Sequence, residues 1–96
     1  MEIYDKAQWH IDGGEEPAEV VRRFQSVFAF LREMDMLSPD GLEILDLGVD
    51  DSVSLHERLV NESGKALLSA HYDDVIDCSA DQIANRLRAY WDQSQS

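Results

Sequence analysis

The segment PAEVVRRFQSVFAFLREMDM, residues 17–36, carries the strongest structural signal in this chain. Its apolar residues recur every three or four positions, which is the period of an amphipathic helix. They are Val20, Val21, Phe24, Val27, Phe28, Leu31 and Met34. Pro17 suits the first turn, where a backbone N–H has no helical partner to lose. The pattern therefore predicts a helix over residues 17–36. Phe30 lies off the apolar stripe, so it needs either a wide buried face or a partner.

The region after this helix predicts a turn and two short extended segments. Ser38-Pro39-Asp40-Gly41 has the composition of a turn. The alternating apolar run at residues 42–47 predicts a strand. Residues 52–60 fit either a strand or a helix. The strand is favoured because it would pair with residues 42–47 as an antiparallel hairpin.

Two further helices are expected in the second half of the chain. Asn61 is a good N-cap for a helix that runs to about Ile76. Ser79 opens a third helix, and Gln82 three residues later makes the pair a capping box. Both segments carry apolar residues at helical spacing on one face.

The length of 96 residues and the 44% apolar content indicate a single domain over 1–96 with one core. Residues 1–14 are expected to form an N-terminal arm or edge strand, and residues 93–96 a frayed end. The predicted fold class is mainly helical α+β. It has three amphipathic helices around one core and a short two-stranded hairpin.

The charge balance excludes several classes of function. Twenty acidic and eight basic residues leave a net charge of −12, which is the wrong sign for a nucleic-acid binder and disfavours an anionic membrane surface. No apolar run approaches the length of a transmembrane helix, and the first ten residues lack the order of a signal peptide. The single cysteine, Cys78, suits a reducing compartment. A cytoplasmic location is expected.

No motif in the sequence predicts catalysis. The three histidines, His10, His56 and His71, have carboxylates nearby but none of the spacings typical of metal ligands. Acidic neighbours raise the pKa of a thiol, which disfavours a nucleophilic role for Cys78. We therefore predict no catalytic, cofactor-binding or metal-binding residue, and a small metal-dependent enzyme is the least favoured reading.

Exposed acids and aromatic residues are the candidates for contact with a partner. Paired carboxylates on loops point into water, and tryptophan is enriched at interface hot spots. The candidate residues are Trp9, His10, Glu15, Glu16, Phe30, Asp50, Asp51, Asp73 and Asp74. For Trp9 and His10, burial in the core is the alternative that the sequence favours.

Several short strings resemble a known group of proteins. They include Tyr4-Asp5-Lys6-Ala7-Gln8-Trp9-His10, Asp40-Gly41-Leu42-Glu43, Asn61-Glu62-Ser63-Gly64-Lys65-Ala66-Leu67-Leu68 and His71-Tyr72-Asp73. Their order resembles that of small uncharacterised bacterial proteins, some of which look like immunity proteins of polymorphic toxin systems. The resemblance covers most of residues 4–75. It implies a compact bacterial cytosolic protein and gives no catalytic residues to carry over.

The sequence thus predicts a non-enzymatic, acidic module that binds a basic protein. One such module is an immunity-type inhibitor of a basic toxin. The negative surface would speed the encounter with such a partner. The alternative is a self-associating structural or regulatory domain, a homodimer formed through Phe28, Phe30, Met34 and Met36.

Overall fold

The computed structural model describes residues 1–95. Within them the chain forms five α-helices and two short strands, so the predicted mainly helical α+β class is confirmed. The elements are β1 (Ile3–Lys6), α1 (Ala7–Asp12), α2 (Pro17–Glu33), α3 (Pro39–Leu47), β2 (Ser54–His56), a 3-10 turn (Glu57–Leu59), α4 (Glu62–Val75) and α5 (Ala80–Ser94).

Helix α2 is the centre of the core, as its apolar stripe predicts. It begins at Pro17 and ends at Glu33, three residues before the expected end, and Asp35 then takes a left-handed conformation with φ 57°. The helix packs against α1, α3 and α5. Because these neighbours cover a wide face of it, Phe30 is only 2% exposed. Phe30 therefore satisfies the first of its two alternatives, a wide buried face.

The two strands that pair are far apart in the sequence, at residues 3–6 and 54–56. β1 and β2 are antiparallel, with Ile3 opposite His56 and Lys6 opposite Ser54. Residues 1–14, expected to form an arm or an edge strand, contain β1 and then α1. The N–H of Ala7, the first residue of α1, donates to the carbonyl of Val53 at 3.1 Å. The ambiguous residues 52–60 contain both β2 and the 3-10 turn.

The prediction of a strand at residues 42–47 is wrong, because this segment belongs to α3. Ser38 is the N-cap, and its hydroxyl accepts a hydrogen bond from the N–H of Gly41 at 3.2 Å. Pro39 occupies the first turn, so the Ser-Pro-Asp-Gly string starts a helix. A Cβ at Gly41 would lie 2.1 Å from the carbonyl oxygen of Leu59. This close approach packs α3 against the 3-10 turn.

The last two helices follow the prediction except at their ends. The side chain of Asn61 caps α4 by accepting from the N–H of Gly64 at 3.0 Å. The capping box at Ser79 is wrong, because its side chain makes no capping hydrogen bond. Helix α5 continues to Ser94, into the segment expected to fray, and Ser96 lies outside the described residues. Across residues 1–95, no helix combines the length and apolarity that crossing a bilayer requires.

Candidate functional site

The first notable site is a buried carboxylate, Asp5 in β1, which is 2% exposed. The register of β1 and β2 shifts just before Asp5, and such an irregularity re-aims a side chain. The carboxylate accepts a hydrogen bond from the hydroxyl of Tyr72 on α4 at 2.8 Å. Nε2 of His10 on α1 lies 2.8 Å from both of its oxygens. A buried carboxylate needs such partners to compensate for lost hydration.

His10 joins this carboxylate to a second one. Its Nδ1 lies 2.6 Å from Oε2 of Glu15. Because carboxylates only accept hydrogen bonds, both ring nitrogens can donate at once only in the imidazolium form. Arg23 on α2 donates to Oε1 of Glu15 at 2.8 Å and to the carbonyl of Ile76 at 3.2 Å. We call Asp5, His10, Glu15, Arg23 and Tyr72 the polar network.

The electrostatics of the polar network follow from burial and close charges. Burial, with the nearby carboxylate of Asp5, raises the pKa of Tyr72 well above 10.0. Burial opposes ionisation of Glu15, but hydrogen bonds from His10 and the charge of Arg23 outweigh it and lower the pKa of Glu15. The network therefore ties β1 and α1 to α2 and α4. None of its buried side-chain nitrogen and oxygen atoms lacks a hydrogen-bond partner within residues 1–95.

The network accounts for two of the predicted partner-binding residues. The structure brings His10 and Glu15 together, and their hydrogen-bonding atoms are engaged within the polar network. Over residues 1–95, no three His, Cys, Asp or Glu side chains are grouped so that they could hold a metal ion. His71 is elsewhere, stacked on Tyr90 with ring centroids 4.2 Å apart.

The second site is a cavity of about 390 Å³ between α3 and β2. Ile44 and Leu47 of α3 and Leu59 form much of its apolar lining, and Asp50 lies at its edge. Ser54 and His56 line it from β2, while Leu55 between them is fully buried. This alternation is that of a strand with one face toward the core and the other toward the cavity.

Most of the residues that line the cavity belong to one acidic segment of the chain. Residues 34–56 contain no lysine or arginine. They contain six acids, all exposed: Asp35, Asp40, Glu43, Asp46, Asp50 and Asp51. We call these six residues the α3 acidic surface. None of them forms an ion pair with another residue of the described 1–95.

Acids elsewhere are more often neutralised by a cation. Glu19 pairs with Arg22 at 2.6 Å, Glu33 with Arg88 at 2.9 Å and Glu57 with Lys65 at 3.2 Å. At the cavity edge, hydrogen bonds from the hydroxyl and N–H of Ser52 instead lower the pKa of Asp50. These bonds keep Asp50 charged and orient it, so the local negative potential stays uncompensated.

Two large apolar side chains extend from the same helix into solvent. Leu47 is 78% exposed and lines the cavity, and Leu42 is 43% exposed. An apolar lining beside an uncompensated charge of one sign is the chemistry of a protein-binding surface with a charged rim. The cavity and the α3 acidic surface together form the candidate site.

The other predicted contact residues are dispersed. The favoured burial of Trp9 in the core is wrong, because its side chain is 52% exposed. The ammonium of Lys6 lies 5.8 Å from its ring centroid. Glu16 is exposed at the start of α2, and Asp73 and Asp74 are exposed on α4. Phe30 is in the core and presents no surface to a partner.

Sequence reasoning selected Asp50 and Asp51 but missed the other four acids and the cavity. The signal that could have found them is the absence of lysine and arginine over 34–56. The net charge of the whole chain, −12, does not show this local signal. The homodimer patch is also absent from the described surface, because Phe28, Phe30 and Met36 are buried.

No family model, curated protein or solved structure matches this chain.

Proposed function

We propose that this protein is a non-enzymatic binding module for a basic protein partner in the cytoplasm. The observation that carries the proposal is the α3 acidic surface, six exposed acids that form no ion pair in the described residues, of which Asp50 lines a cavity that also has apolar lining residues. A net charge of −12 adds a long-range attraction for any positively charged protein.

The charges and the apolar groups affect different steps of binding. Exposed ion pairs contribute only about 0.2–1 kcal/mol each, so the rim acids cannot supply a tight complex alone. They raise the association rate by about 10- to 1000-fold and reject acidic proteins. Contact with Leu47 and the cavity lining would slow dissociation, because burial of apolar surface supplies most of the affinity.

An immunity-type inhibitor of a basic toxin is the specific form of this function that we favour. A toxin that cleaves nucleic acid needs a cationic surface to hold its substrate. An acidic protein that covers this surface blocks the substrate without any bond being made or broken. The resemblance of residues 4–75 to immunity-like proteins supports this form.

The test is to identify the partner and measure how salt changes its association. The tagged chain is used to recover proteins from the native host, and each recovered protein is purified and its association rate is followed by stopped flow. We expect a basic protein whose association rate falls at least about tenfold between about 50 mM and about 500 mM salt. An acidic partner, or a rate that salt does not change, would contradict the proposal. A matched toxin should lose its nuclease activity when the complex forms.

A further inference from the structure

We propose that the cavity between α3 and β2 receives one apolar side chain of the basic partner, while lysine or arginine residues beside it contact Glu43, Asp50 and Asp51. This inference rests on the proposed function and assigns it to one surface. The occupant is a peptide segment with an apolar residue between cations.

The apolar lining identifies the central group of the occupant. Ile44, Leu47, Val53 and Leu59 all line the cavity, whose volume of about 390 Å³ is within the range of sites that bind ligands. Leu47 stays 78% exposed at its edge. An inserted apolar side chain would remove this surface from water, which is the main favourable term in association.

The charges around the opening identify the residues that flank the apolar group. Asp50 lines the cavity, Asp51 follows it, and Glu43 shares a helix face with Leu47 at a spacing of four residues. Arg58, the next cation along the chain, forms no ion pair with them in the described residues. The rim therefore attracts ammonium or guanidinium groups and repels a phosphate or a carboxylate.

The test uses the whole chain and two short synthetic peptides, one with a single leucine flanked by lysines and one with serine in place of that leucine. Binding is followed at low salt by isothermal titration and by amide chemical shifts of the ¹⁵N-labelled protein. We expect the leucine peptide to bind about tenfold more tightly than the serine peptide. The shifts should centre on residues 44–59. Equal affinities, or shifts elsewhere, would overturn the inference.

Matched variants separate the cavity from the overall charge. Leu47→Ser should weaken the leucine peptide at least about fivefold, whereas Leu42→Ser, on the same helix but outside the lining, should change its affinity less than about twofold. Neither exposed position is needed for folding, which circular dichroism checks. The double variant D50N/D51N should weaken both peptides more than D73N/D74N, which removes the same charge from α4.

The failure of this inference can be distinguished from failure of the proposed function. A basic partner that binds the wild type, Leu47→Ser and D50N/D51N equally would contradict the cavity assignment and leave the proposed function in place. If no basic protein from the native host and neither peptide binds any face of the chain, both are wrong.

Discussion

The hydroxyl of Tyr72 donates a hydrogen bond to Oδ2 of Asp5 at 2.8 Å, and this contact joins residues 67 positions apart in the chain. Both side chains are buried. The bond fixes β1 on α4, and β1 in turn pairs with β2, whose other face lines the cavity. The interior of the polar network thus supports one wall of the proposed binding surface.

Removing the Tyr72 hydroxyl tests how much this contact stabilises the fold. Tyr72→Phe should lower the free energy of unfolding by about 1.5–3 kcal/mol, since a buried carboxylate loses a donor. Urea denaturation measures the change. Tyr4→Phe is the control, because the Tyr4 oxygen has only a 3.4 Å hydrogen bond, from Ser69. A cost for Tyr72→Phe no larger than that of Tyr4→Phe would contradict the assignment.

His10 should be the most sensitive member of the polar network. His10→Ala removes a side chain that hydrogen-bonds both Asp5 and Glu15, and each hydrogen bond to a charged group contributes about 1.5–3 kcal/mol. Thermal and urea unfolding should both show the loss. Gln8→Ala on the same helix removes only an exposed contact with Asp12 and should change stability by less than about 0.5 kcal/mol. Similar stability for the two variants would mean that the hydrogen bonds of His10 do not stabilise the fold.

Stability should decline at alkaline pH because the folded state holds the proton of Tyr72. Burial and the Asp5 carboxylate raise the pKa of Tyr72 above its ordinary value of 10.0. The unfolded chain therefore releases this proton first, and the stabilisation, complete below pH 10, is lost as pH rises further. Urea denaturation at about pH 8 and about pH 11 measures the decline. It should be smaller in Tyr72→Phe, and equal declines in the two proteins would refute this cause.

Gly41 should be required for the position of α3. In Gly41→Ala the new Cβ would meet the carbonyl oxygen of Leu59 at 2.1 Å, and backbone cannot move aside as a flexible side chain does. We expect a loss of about 1–3 kcal/mol and weaker binding of the leucine peptide, because α3 forms one wall of the cavity. Gly13→Ala, where the nearest atoms lie at 3.4 Å, should be tolerated. An unchanged melting temperature in Gly41→Ala would contradict this packing.

The error at α3 shows where local patterns become ambiguous. Residues 42–47 form a short, mostly apolar run between Gly41 and Gly48, as a strand does, yet Gly41, Ile44 and Leu45 also repeat at helical spacing. Six residues are too few to separate the two periods. Packing against the 3-10 turn favours the helix, and that contact comes from residues almost twenty positions later.

The polar network and the cavity could not be predicted from local sequence patterns for a related reason. In the sequence, Asp5 cannot be distinguished from the other nineteen acidic residues. Its burial depends on Tyr72, His10 and the shifted register of β1. The cavity likewise needs α3 and β2 side by side. Neither arrangement produces a periodic residue pattern in the segments that form it.

The amino-acid order alone specified the long helix α2, the Asn61 cap of α4, the helical class and the negative charge, because periodicity, capping and composition act within a few residues. The pairing of β1 with β2, the polar network and the cavity depended on the folded chain. Their energies come from groups that are distant in sequence, and burial becomes favourable only once those groups meet.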